Sequence, residues 1–196
     1  MKQLFGIQHS LLLVVLFLTG NGRPIQVNIN QQKNCINLEP GQKGFIQLAK
    51  NDEPGEPLVI YGKILDRKTN QPIKDVSLFL YQTDSSGIYN ASSSRDSDAR
   101  IRGTMHTNES GCFKIKTILP GDYPGRKNSR HLHYVINANG YKEIKSILFF
   151  KGFTTANITS EGPLSVLDIK KEKNASWIGK IDIKMERSDS SQKILK

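Results

Sequence analysis

Short runs of alternating apolar and polar residues, none with helical spacing over a useful length, dominate the chain from Leu58 to Glu186. "LVIYGKILD" (58–66) and "VSLFLYQTD" (76–84) are rich in β-branched and aromatic residues, and "RKTNQP" between them supplies turn chemistry. "GCFKIKTIL" (111–119) sets Phe113, Ile115 and Thr117 on one face and Lys114 and Lys116 on the other. "RHLHYVINA" and "KSILFFKG" follow across the turn "NGYK", and "GKIDIKME" (179–186) reads as a last alternating strand. Such a series predicts an all-β fold with one β-sandwich domain over 57–187, without repeats or a second domain. "SVLDIKKEK" (165–173) fits a short helix or a loop.

The residues before the sandwich are of two kinds. Lys2, the apolar run "LLLVVLFL" (11–18) and the small residues through Gly22 have the order of a secretory signal peptide. The run is too short to span a bilayer. The expected organisation is a signal peptide over 1–22, a polar N-terminal arm or linker over 23–56, the sandwich, and a flexible, disordered tail over 188–196. An uncleaved N-terminal anchor is the alternative for the first segment. The expected location is secreted and extracellular, or periplasmic in a bacterium, with no membrane association beyond export.

The net charge is +10 at pH 7, and cleavage after Gly22 would remove only Lys2 from it. Lys and Arg are scattered and no basic run is interleaved with aromatics, so nucleic acid is not an expected partner. A positive surface can still steer small anions towards a cleft. Cys35 and Cys112 form no CxxC pair, and the sequence leaves a disulfide and two buried thiols equally open. Acceptor sequences for glycosylation stand at Asn90, Asn108, Asn157 and Asn174, relevant only where the source glycosylates. Oligomeric state is open, a monomer included.

Chemistry concentrates in "YPGRKNSRHLHYVI" (123–136). On a strand, His131, His133 and Val135 share one face while Leu132, Tyr134 and Ile136 take the other. Two imidazoles on a rigid element are candidate metal ligands, or ordinary polar residues on a solvated face. Tyr123 lies just upstream in a Pro-Gly turn, and Tyr89 ends the loop "TDSSGIY". Imidazole suits several first-row metals. A phenol of pKa about 10 binds as its anion only where a cation stabilises the charge, which favours a hard, trivalent ion. Two His with two Tyr therefore point to Fe(III) rather than zinc, whose usual ligands are Cys, His and carboxylates. His106, in "TMHTN", is expected at the surface.

At these residues the sequence resembles the intradiol ring-cleavage dioxygenases, the catechol and protocatechuate dioxygenase group. "GEPLVIYGKILDRKTNQPIKDVSLFLYQTDSSGIY" looks like that family's opening strands and its turn ending in Gly-x-Tyr. "RGTMHTNESGCFKIKTILPGDYPGR" looks like its Arg-Gly, Thr-x-x-x-Gly and Thr-Ile-x-Pro-Gly-x-Tyr-Pro run, "HLH" like its His-x-His, and "SILFFKG" like the strand after it. The resemblance runs in order from Gly55 to Gly152.

It implies a non-haem Fe(III) held by Tyr89, Tyr123, His131 and His133 with a hydroxide, Tyr123 being the axial ligand that a chelating catechol displaces. It implies that O2 opens the ring between the two hydroxyl carbons to give a cis,cis-muconate-type diacid. It also implies an arginine that stabilises charge developing on the substrate. The family places that arginine a short, fixed distance before the first histidine, whereas this chain has "GRKNSRHLH". Arg130 would face away from His131 on an extended strand, so Arg126 is the expected residue. Tyr81 stands where the family commonly has tryptophan. The helical N-terminal region of the intracellular members is replaced here by a polar arm, which resembles the smaller, exported branch. Residues 90–102 are expected to form a loop beside the site. Two other readings share the strand pattern: a non-catalytic secreted binding module of the transthyretin-like or carboxypeptidase-regulatory-like kind, and a degenerate dioxygenase that binds iron or phenols without turnover.

Overall fold

The computed structural model of the chain describes residues 35–92, 98–154, 165–173 and 175–188, with the backbone of 17–18 and 24–25. The signal peptide read over 1–22 (apart from that backbone), the start of the arm, the acceptor positions Asn157 and Asn174, and residues 189–196 of the expected tail lie outside the described residues. Two units are distinguished, residues 1–33 and 34–196. In the first, β1 (Phe17–Leu18) pairs antiparallel with β2 (Pro24–Ile25).

The second unit holds β3 (Phe45–Gln47), β4 (Pro57–Asp66), β5 (Ser77–Gln82), β6 (Ile101–His106), β7 (Cys112–Ile118) and β8 (Ser129–Asn137). It continues with β9 (Ile144–Thr154), β10 (Ser165–Leu167), β11 (Ile169–Lys171), β12 (Trp177–Lys180) and β13 (Ile183–Met185). Among the described residues there is no α-helix. One sheet has the order β10-β9-β8-β5-β6. The other runs β11-β12-β4-β7-β3, with β13 added on β4.

The period-two patterns decide which faces meet. Leu78 and Leu80 of β5, Leu132, Tyr134 and Ile136 of β8, and Leu148 and Phe150 of β9 lie in one buried cluster. Leu58, Ile60 and Ile64 of β4, and Phe113 and Ile115 of β7, complete it from the opposite sheet. Phe113 and Phe150 are the largest fully buried side chains, and each contributes about 1.5–3 kcal/mol by leaving water. With the core on the Leu132–Ile136 face, His131 and His133 stand on the outer face of β8.

Four expectations need correction. The arm does not end at residue 56: Phe45–Gln47 pairs parallel with β7, opposite Lys114–Lys116. The cause is apolar cover, since Cys35 and Leu38 pack with Cys112, Phe45 and Tyr61 in a second buried cluster on the outer face of that sheet. Cys35 and Cys112 are disulfide-bonded across a separation of 77 residues. Lys114, on that covered face, is buried and donates to the Leu38 carbonyl at 2.7 Å.

Residues 165–171 are neither helix nor loop. They form the two short edge strands β10 and β11, one on each sheet. "GKIDIKME" is two strands rather than one, β12 beside Leu58–Tyr61 and β13 beside Ile64–Asp66, both parallel to β4. The break falls opposite Gly62, where a Cβ would stand 1.7 Å from the Ile181 carbonyl oxygen. Asp182 fills it by accepting the Lys63 N–H at 2.9 Å. Finally, the loop read over 90–102 ends earlier, because Ile101 and Arg102 are already in β6 and Ala99 is buried.

Candidate metal centre

Tyr89 and Tyr123 come from loops at the same end of the sandwich, and glycine lets those loops touch. Gly87, at φ +81°, lies so close to Asp122 that a Cβ would stand 1.8 Å from its carbonyl oxygen. Gly121 approaches the Ser85 carbonyl in the same way, with a Cβ 2.4 Å from it. No side chain fits in either gap.

Hydrogen bonds close the seam. Gly121 N–H donates to the Asp84 carbonyl at 2.8 Å and Thr83 Oγ1 donates to the Gly121 carbonyl at 3.2 Å. Asp84 Oδ1 accepts the N–H groups of Ser86 and Ile88, folding the turn that ends at Tyr89. Buried Gln82 is satisfied on both ends, donating to the Ile118 carbonyl at 2.9 Å and accepting from Thr117 Oγ1 at 2.9 Å. It ties the end of β5 to the end of β7, where the two loops begin.

The histidines arrive from β8. A register shift lies between Ser129 and His131, and the His131 ring turns back so that Nδ1–H donates to the Ser129 carbonyl. That bond fixes the tautomer and leaves Nε2 as a lone-pair donor. His133 is positioned differently: its ring stacks on Tyr81 at 4.5 Å with the planes 1° apart. Burial, and then the neighbouring His131, push the His133 pKa down to about 4, so its imidazole is neutral at physiological pH.

Four polar atoms converge. Tyr89 Oη and Tyr123 Oη are 2.7 Å apart, and His131 Nε2 is 3.1 Å from each. His133 Nε2 is 2.9 Å from His131 Nε2 and 2.9 Å from Tyr89 Oη. Adjacent donors on a first-row ion at about 2.0–2.1 Å subtend edges of about 3 Å, so this donor set fits a metal ion. Its chemistry, two imidazole nitrogens and two phenol oxygens, suits a hard trivalent cation. Among the described residues no group of three or more His, Cys, Asp or Glu side chains forms a competing cluster.

All four ligands expected from the sequence therefore meet at one place. The family model Dioxygenase_C, described as a dioxygenase, matches residues 33–160, which include all four. The intradiol ring-cleavage dioxygenase hqdA of Aspergillus niger is 26% identical over 117 residues, 52% of this chain and 35% of that protein. The chain belongs to the intradiol dioxygenase family. The 6-chlorohydroxyquinol 1,2-dioxygenase of Cupriavidus pinatubonensis is 28% identical over 118 residues, 52% of this chain and 42% of that protein. The dioxygenase domain of a dioxygenase–carbohydrate-binding protein fusion from Streptomyces sp. SirexAA-E superposes with a TM-score of 0.60. Its identity is 27%, and the match covers 77% of this chain and 93% of that one. The chain spans less than half the length of these curated relatives.

Beside the donors of this intradiol-family chain opens a cleft of about 480 Å³, lined by Tyr123, Arg126, His131 and His133 and walled by Ile147 and Phe149. Tyr123 lines it, whereas Tyr89 is not among its lining residues. The two arginines stand in different surroundings. Arg126 lines the cleft, while Arg130 lies 4.9 Å over the Phe153 ring with Nε 3.5 Å from Asp122. His106 is exposed beside Asp75, at the far end of β6 from Ile101.

The sequence reading missed Ser129, Asp122 and the two glycines. Ser129, two residues before His131, is the detectable one. Its N–H donates to Asp122 Oδ1 at 2.7 Å, its Oγ accepts the Tyr123 N–H at 2.8 Å and donates to the Arg126 carbonyl at 2.8 Å. One serine thus fixes the turn that carries both Tyr123 and Arg126.

Proposed function

We propose that this chain is an exported, non-haem Fe(III) intradiol dioxygenase that opens catechol-type aromatic diols with O2, giving cis,cis-muconate-type diacids. The observation that carries the reading is the convergence of two phenol oxygens and two imidazole nitrogens beside an open, partly apolar cleft. Tyr89, Tyr123, His131 and His133 would hold the iron, which supplies Lewis acidity and a template for the diol. Export is supported by the Cys35–Cys112 disulfide, a bond typical of oxidising compartments, and by the order of residues in 1–22.

The chain's own residues divide the remaining work. Tyr123 faces the cleft, so its Oη is the group placed to accept a proton from an incoming diol. Ile147 and Phe149 give the ring an apolar wall that excludes water from one side. Arg126 places a permanent positive charge on the same cleft, where negative charge develops as the ring opens.

The test is direct. Protein reconstituted with ferric iron is expected to take a red tyrosinate-to-iron charge-transfer colour that shifts on adding catechol, and to consume O2 with release of the diacid. Colourless protein that retains no iron refutes the reading, and iron with a colour shift but no product identifies a phenol-binding relative without turnover.

Two variants assign roles. Tyr123→Phe is expected to retain iron while turnover falls about 10²-fold or more, since a positioned acid–base group contributes about that much; unchanged turnover would remove Tyr123 from proton transfer. Arg126→Ala is expected to lower kcat about 10²-fold, the scale for losing one preorganised charge or donor. Arg130→Ala should lower it far less, and equal losses would show that cleft lining does not distinguish the two.

A further inference from the structure

Among the described residues, the charge lining the cleft is one-sided: Arg126 and Lys127 line it, and no aspartate or glutamate does. Two other clefts of the domain are mixed: one sets Arg67, Lys142, Lys145 and Lys184 among Glu143, Asp182 and Glu186, and the other sets Lys50 and Arg100 among Asp52, Glu53 and Asp84.

Arg126 and Lys127 are exposed, and among the described residues neither side chain has an ion-pair partner. The nearest carboxylate in sequence, Asp122, is engaged elsewhere, with Oδ1 on the Ser129 N–H and Oδ2 towards Arg130. The turn carrying the two cations is held at its base. Arg126 N–H donates to the Tyr123 carbonyl at 2.9 Å, the Arg126 carbonyl accepts from Ser129 Oγ, and Asn128 takes a left-handed φ of 57°. Two like charges on a fixed turn, beside an apolar wall and with no acid among the described lining residues, raise the local concentration of anions at the cleft mouth.

We propose that Lys127, with Arg126, is a specificity-determining element that selects catechols bearing an anionic substituent over neutral ones. The inference rests on the diol-binding reading above and names the substrate class for that site. The diol end of the ring enters towards Tyr123 and the histidines, while a carboxylate on the ring or its side chain remains at the rim beside Lys127. Lys127 contributes through charge at the rim, not through the reacting atoms.

The experiment is anaerobic calorimetric binding of 3,4-dihydroxybenzoate and of catechol to the iron-loaded protein, followed by kcat/KM for both in air. The wild type is expected to bind the benzoate more tightly, and the ratio of the two affinities to fall about fivefold in Lys127→Glu, the scale of one exposed charge pair. Lys127→Gln should give a smaller fall of the same sign, and raising the salt concentration should reduce the wild-type preference. Equal affinities in the wild type, or a preference that Lys127→Glu and salt both leave intact, overturns the proposal. Cleavage of both diols without preference would sink the specificity and leave the proposed activity standing. Selective binding of the benzoate without cleavage of either diol would do the reverse.

Discussion

His133→Ala is expected to give folded protein that retains no iron through a desalting step and has no measurable ring cleavage. The imidazole is half-buried on the outer face of β8, away from the Leu132–Ile136 face that packs in the core. Its removal should therefore spare the sandwich. What is lost is one of four donors and the stack on Tyr81, the latter worth about 0.5–1.5 kcal/mol. Loss of a residue that merely supports a ligand weakens metal affinity about 10–100-fold, and loss of the ligand itself should exceed that. Iron content by metal analysis, the charge-transfer band and circular dichroism together separate lost metal from lost fold. Full iron and full turnover in this variant would show that the donor set is misassigned.

The same residue shows why part of the site was legible in the sequence. A strand fixes side-chain direction with period two, so "HLH" by itself places both imidazoles on one face. The apolar alternation of β4, β5, β7, β8 and β9 gave the sandwich for the same reason. Short edge strands carry no such signal: Phe45–Gln47 and Ser165–Leu167 are three residues each, and their pairing depends on partners far along the chain. Lys114 shows the limit of alternation. The pattern gave its face, but Leu38 and the disulfide cover that face from outside. The meeting of Tyr89 with Tyr123 was likewise invisible to local pattern, because it depends on two backbones approaching within the space of a missing side chain.

That dependence makes Gly87→Ala the most informative change away from the ligands. At φ +81° an alanine carries strain of about 1–2 kcal/mol, and Gly140→Ala, at φ +79° with no heavy atom within 4 Å of its Cβ, should show that strain alone. Gly87→Ala must also clear the Asp122 carbonyl, 1.8 Å from the new carbon, and the contact is backbone that has no rotamer to change. The seam between the 84–89 and 119–123 loops has to open, and Tyr123, the next residue after Asp122, moves with it. A displacement of about 1 Å between groups that must act together costs about 10²-fold in rate. Gly87→Ala is therefore expected to lose about 10²-fold or more in kcat/KM, with a weakened charge-transfer band. Gly140→Ala should keep both near wild type while lowering Tm modestly. If the two variants lose stability alike and Gly87→Ala keeps its activity, the loops do not set the Tyr89–Tyr123 contact, and the 2.7 Å separation of the two phenols has another cause.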